Sequence, residues 1–150
     1  MTQSCECSEC GNPRTLMNVC QHCGSEELPI LLSDTIEFNL KRGSPTAEEA
    51  LERLTRYLRR ASEVGVKALI VIHGYGSSGE GGKIKWAIHE ALENNYFSDR
   101  VDEYHFGEDV AYGGEGYQHL LRRRPSLKSH LKLFKVGDAG MTVLLLGHWK

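Results

Sequence analysis

Apolar and polar positions along the chain change period several times, and each change marks an element. Residues 35–40, Thr-Ile-Glu-Phe-Asn-Leu, alternate, which is the period of a strand with one buried face. From residue 46 the period lengthens, and Ala47, Ala50, Leu51, Leu54, Leu58 and Ala61 recur at helical spacing. Thr46 with Glu49 three residues later is a capping box that starts this helix, and Gly65 stops it after Val64. Ala68–Ile72 is a short, continuous apolar run rich in β-branched residues, the pattern of a strand buried on both faces. Helical spacing returns over residues 83–95, through Ile84, Ala87, Ile88, Ala91 and Leu92. Residues 101–106 alternate again and predict a third strand, and residues 141–146 predict a last, very apolar one. A strand, a helix and a strand in such short compass form a βαβ unit, so the first two of these strands should be parallel with a right-handed crossover.

The stretch between the second of these strands and its helix carries the first candidate chemistry. His73 stands at the strand end, and the nine residues after it hold five glycines. Such a backbone can turn sharply and approach a ligand closely. Strand, glycine-rich loop and helix together point backbone N–H groups at an anion, usually a phosphate. Residues 74–79 match the dinucleotide fingerprint G-x-G-x-x-G, but the helix starts several residues too late for that fold. A P-loop would need Gly at 77 and Ser or Thr at 84, where the chain has Ser77 and Ile84. A surface loop with no ligand is the bland alternative.

All five cysteines fall within the first 23 residues. Cys7-Ser8-Glu9-Cys10-Gly11 and Cys20-Gln21-His22-Cys23-Gly24 are two C-x-x-C-G knuckles. Two knuckles supply four thiolates, the closed set of a structural Zn2+ site, with ligands Cys7, Cys10, Cys20 and Cys23. Two disulfides or a redox C-x-x-C are the competing readings. So short a segment cannot fold on hydrophobic burial, so metal should supply its folding energy. Cys5 is left over, as a free thiol or an alternative ligand, and His22 reads as a spacer. The expected organisation is a zinc ribbon over residues 1–27, a connector over 28–34 containing Pro29, and one domain over 35–150. The connector is so short that the ribbon should pack on that domain.

Composition narrows this only a little. The chain has 150 residues, 40% of them hydrophobic and 25% charged, with a net charge of −2, so global charge names no partner. No apolar run approaches the ~20 residues of a membrane span, and the N-terminus lacks a signal-peptide core, which together suggest a cytoplasmic protein without a membrane partner. Charge is instead segregated locally. Residues 99–115 carry six acids against Arg100 alone, and residues 116–135 carry six bases and no acid. Within the latter, Arg122, Arg123, Arg124, Lys128 and Lys132 are candidate phosphate contacts or a solvated face. Arg53, Arg56, Arg59 and Arg60 on the first long helix read as a solvated face.

The loop His73-Gly74-Tyr75-Gly76-Ser77-Ser78-Gly79 resembles the H-G-x-G-x-G loop of small MutS-related (Smr) domains. Glu48-Glu49-Ala50-Leu51 resembles the opening of that family's E-A-L-rich helix, and Gly137-Asp138-Ala139-Gly140-Met141-Thr142 its closing G-x-x-G-x-T turn. The resemblance implies an α/β fold, a two-layer βαβαββ domain with a mostly parallel sheet, in which residues 107–136 form a basic insertion. It also implies association with DNA or RNA and, because the family includes nucleases, endonucleolytic cleavage of phosphodiester bonds. The family's first strand carries L-D-x-H, where this chain has Ile36-Glu37-Phe38-Asn39. Acid is kept at Glu37, but Asn39 cannot carry a proton near neutral pH. On this reading His73 is the base or acid, and Glu37 orients it or holds a divalent cation for cleavage. Gly74, Gly76, Ser77, Gly79, Lys83 and Lys85 bind nucleic acid together with Arg122, Arg123, Arg124 and Lys128. The degenerate L-D-x-H motif supports the alternative, a non-catalytic module that binds RNA, DNA or a ribonucleoprotein.

Overall fold

The computed structural model describes residues 5–17, 19–40, 43, 45–74, 80–130, 132, 134 and 140–147. The chain opens with three short antiparallel strands, β1 (Cys5–Glu6) between β2 (Pro13–Arg14) and β3 (Ile30–Leu31). Then come β4 (Thr35–Asn39), α1 (Ala47–Val64), β5 (Ala68–Ile72), α2 (Glu80–Glu93) and β6 (Val101–Phe106). A 3₁₀ turn (Gly107–Asp109), α3 (Glu115–Arg123) and a 3₁₀ segment (Pro125–His130) lead to β7 (Met141–Leu146).

The local signals explain where α1 lies. Thr46 Oγ1 accepts from the Glu49 amide at 3.1 Å and Glu49 Oε1 accepts from the Thr46 amide at 2.9 Å, so the capping box is formed. Gly65 ends the helix in the left-handed region, its amide bonded to Ala61 O at 3.0 Å. The second helix starts at Glu80, three residues before the expected Lys83. Gly81 and Gly82 have poor helix propensity and hid the first turn.

The main sheet has the order β4-β5-β7-β6. β4 pairs with β5 in parallel, as the βαβ unit requires, but β7 pairs antiparallel with both β5 and β6. The expectation of a mostly parallel sheet is therefore corrected to a mixed one. The reason lies in the route between β6 and β7. At the start of β6, Asp102 pairs with Arg123 at the end of α3, and Asp34, just ahead of β4, accepts from Ser126. At the other end, Gly140 O accepts from the amides of His73 and Gly74 at 2.9 and 3.0 Å. The chain thus goes down the sheet and back, re-entering beside the end it left, and a strand entering there must run antiparallel.

Each face of the sheet has its own apolar cluster. On one face Ile36, Leu69, Val71 and Leu144 meet Leu54 and Leu58 of α1 and Ile84 and Ile88 of α2. The ribbon joins this face: Cys5 and Leu16 belong to the same cluster, and Arg60 Nε donates to Leu16 O at 3.0 Å. On the other face Ala68, Ile70, Val143 and Leu145 are covered by Tyr117, Leu120, Leu127 and Phe134. The Tyr117 and Phe134 rings meet edge to face at 5.3 Å. The segment after β6 thus supplies the cover of the second face. Leu120 is fully buried, so Leu120→Ala should cost about 2–5 kcal/mol in urea unfolding. A cost under about 0.5 kcal/mol, the usual range for surface changes, would mean that the segment is dispensable.

Candidate functional site

Two arrangements stand where chemistry was expected. The first is the ribbon. Gly11 and Gly24 both take positive φ, +76° and +75°, so each knuckle closes with an amide returning to its first cysteine's carbonyl at 3.0 and 2.8 Å. The four Sγ atoms of Cys7, Cys10, Cys20 and Cys23 lie within 4.8 Å of one another. Two edges of the set measure 3.6 Å (Cys7 to Cys23) and 3.7 Å (Cys10 to Cys20). A tetrahedron with metal–sulfur bonds of ~2.3 Å has edges of ~3.8 Å, so the donors fit a metal ion of that size. The amides of Cys10 and Glu9 draw the Cys7 thiol down to about 6, toward the thiolate a metal requires. All five cysteines are free, so the disulfide alternative is not formed. Cys5 lies outside the tetrad, 2% exposed in the core, and burial first of all raises its thiol. His22 is exposed and outside the tetrad, as a spacer should be.

The second arrangement is the end of β5. His73 is fully buried. Its Nδ1–H donates to Gly74 O at 2.7 Å, which leaves Nε2 to accept from the Thr142 hydroxyl at 2.8 Å. Gly74 follows with φ +79°. The imidazole thus ties the loop start to β7, with both ring nitrogens held by protein groups. His89 of α2 lies edge-on to it at 6.2 Å and stacks on Phe106 at 3.6 Å. Burial, then the Lys85 charge, holds His89 below the usual histidine range.

The predicted partners are not all brought together. Thr142, bonded to His73, sits on the α1/α2 face, beside Val71 and Phe106 in register. Glu37 is level with Ile70 and projects to the opposite face, where its carboxylate accepts from His130 Nδ1 at 2.6 Å. Glu37 therefore does not orient His73. Gly76, Ser77 and Gly79 lie outside the described residues, as do Gly137, Asp138 and Ala139 of the closing turn. Lys83 is exposed, whereas Lys85 is bonded to Glu108 at 3.1 Å. Arg122 and Lys128 are exposed, but Arg123 bridges Asp102 and Glu103 at 3.0 and 3.1 Å. Arg123 and Ser126 are anchored at the start of the strands, so the basic stretch lies at the opposite end of the sheet from His73 and Gly74.

Two features escaped sequence reasoning. Trp86 is 71% exposed on α2, one turn from Lys83, with its ring 6.2 Å from His89. The helical pattern of that segment left it on the polar face, which was the available signal. The other is a long-range cluster. Glu103 Oε1 accepts from His105 Nε2 at 2.5 Å and from His119 Nε2 at 2.6 Å. Burial alone would raise the Glu103 carboxyl, but the two imidazoles and the Arg123 charge outweigh it and hold the group below its usual range.

These features define a mixed α/β domain carrying a ribbon whose four cysteines are placed to hold a metal ion. A family model, described as the Smr domain, matches residues 42–123, over half of the chain, and the chain belongs to that family. The match begins after β4, so Glu37 and Asn39 fall outside it. Among solved structures, the crystal structure of the Smr domain of Thermus thermophilus MutS2 is similar at 24% identity, covering 76% of this chain and 98% of that one with a TM-score of 0.44. A comparison with curated proteins finds no match. Among the described residues no helix is long and apolar enough to cross a membrane.

For the ribbon, Cys10→Ser should lower the metal content by one equivalent in elemental analysis, and Cys5→Ala should leave it unchanged. Loss of metal from the Cys5 variant would show that the ligand set has been misassigned.

Proposed function

We propose that this Smr domain is a non-catalytic nucleic-acid-binding module that grips its ligand at the loop end of the sheet. The observation that carries the reading is the construction of that end. His73, buried and bonded on both nitrogens, fixes Gly74, and the exposed pair Lys83 and Trp86 follows on the first turns of α2. Membership of the Smr family supports nucleic acid as the ligand. A helix N-terminus with glycine-rich backbone ahead of it suits a phosphate, Lys83 adds charge, and Trp86 offers a face for a base. Gly76, Ser77 and Gly79, outside the described residues, are expected to bind the same ligand in this reading.

His73 is then a positioning residue, not an acid or base: a proton carrier needs a nitrogen free to meet the reacting atom. Glu37 faces the other side of the sheet and is no partner for it. Arg122, Arg124 and Lys128 serve as a second phosphate contact, met only by a ligand long enough to reach the opposite end. The ribbon holds one structural zinc ion through its four thiolates, which fits a reducing, cytoplasmic setting.

Fluorescence anisotropy with labelled single-stranded RNA and DNA tests this. Trp86→Ala should weaken binding by about 5- to 100-fold, the value of one stacked base. Lys83→Ala should reduce the slope of log K against log salt by ~0.7–0.9. His73→Ala should weaken binding without any cleavage by either protein. Cleavage by the wild type that is lost in His73→Ala would overturn the non-catalytic reading. Unchanged affinity in both Trp86→Ala and Lys83→Ala would remove the loop end as the binding surface. The triple change Arg122→Ala, Arg124→Ala and Lys128→Ala should spare short oligonucleotides and weaken long ones.

A further inference from the structure

We infer that Glu103, His105 and His119 form a second metal site, binding one divalent transition-metal ion, with zinc the ion best matched to the ligands. The inference is independent of nucleic-acid binding and of the cysteine tetrad.

The ligand atoms come from two rigid elements. Glu103 and His105 are two residues apart on β6, level with Leu145 and Val143, so both side chains project to the second face. His119 comes from α3, which lies on that face. This placement depends on an irregularity. Val101 pairs with Leu146 and belongs to the first face, and by simple alternation Glu103 would share that face. The register shifts between Val101 and Glu103, so Asp102 is an extra residue opposite no partner. That bulge turns Glu103 and His105 over to meet His119, the kind of re-aiming bulges perform beside functional sites.

The donor set is two imidazoles and one carboxylate. Both imidazoles present the same nitrogen, Nε2, to the same oxygen, and the three ligand atoms lie within 4.8 Å of one another. Metal–ligand bonds of ~2.0–2.2 Å place neighbouring donors ~3.3 Å apart, so the set opens by less than ~1 Å around an ion. Glu103 is held from behind by Arg123 Nη1 on its other oxygen at 3.1 Å, the outer-shell support that metal-binding carboxylates use. All three side chains are partly exposed, at 22% for Glu103 and His105 and 44% for His119, so an ion can enter. His119 also lines an open cleft of about 520 Å³ with Gly113, Gly114, Gln118 and Arg122. Two histidines and one carboxylate leave coordination positions open, as in sites that keep a water or an oxygen ligand on the metal.

Cobalt(II) titration of the full chain, with zinc content as a second readout, tests the inference. The wild type should take up two equivalents. One should show thiolate-to-metal charge transfer from the ribbon, and the other should show weaker d–d absorption alone. His119→Gln should lose the second equivalent, its affinity falling more than ~10-fold, and keep the first. His119→Cys should recover the second equivalent and add a thiolate band to it. Circular dichroism should show all three proteins equally folded, since His119 is the most exposed of the three ligands. A wild type that saturates at one equivalent would overturn the site. So would a His119→Gln variant that binds two as tightly as the wild type.

Discussion

β7 has a hydrogen-bonded neighbour on each side, and all six of its side chains are buried. A strand apolar at nearly every position stays in solution only if both faces of its sheet are covered. Met141, Val143 and Leu145 point one way, Leu144 and Leu146 the other, so one layer of helices cannot serve. α1 and α2 cover one side, and the chain between β6 and β7 must cover the other. The basic character of residues 122–132 then has a structural root. This segment is itself amphipathic, with Leu120, Leu127 and Phe134 inward and Arg122, Lys128 and Lys132 exposed. A run of bases here reports the outer surface of a required layer before it reports a ligand.

The same strand fixes the loop end. Thr142 is the single polar side chain on β7, fully buried, and its hydroxyl reaches His73. Leaving either group unpaired at that depth would cost ~1–3 kcal/mol. The pair therefore sets where β5 stops and where Gly74 begins its turn, while Gly140 receives the His73 and Gly74 amides. β7 thus fixes the turn at Gly74 from a distance of about seventy residues in sequence, since the contact joins positions 73 and 142.

What could be read in advance was what is local. Thr46 with Glu49, Gly65, the continuous run Ala68–Ile72 and the two knuckles each act within a few residues, and each is found as expected. What could not be read depends on which strand neighbours which. Alternation shows that Glu37 has a face but not that His73 has the other one. That is set only by the register of Glu37 with Ile70 and of Val71 with Thr142. The bulge at Asp102 is invisible to period counting, because its effect is to reverse the faces that the count assigns. Glu103, His105 and His119 were in plain view as residues, but a strand pair and a helical histidine 14 positions on share no sequence spacing that marks them as one group.

Burial of His73 separates two tasks that one histidine is often asked to perform. An imidazole that exchanges protons with a ligand needs a nitrogen in contact with it, and an imidazole that holds a backbone turn needs both nitrogens in fixed bonds. His73 satisfies the second condition: one nitrogen faces a carbonyl that can only accept, which sets the tautomer, and the other faces a hydroxyl that then must donate. On β4 the same register that puts Asn39 level with Ile72 turns Glu37 to the second face, where it is bonded to His130. The polar side chain of Glu37 is thereby engaged by the cover of that face, while His73 is engaged by β7 on the other.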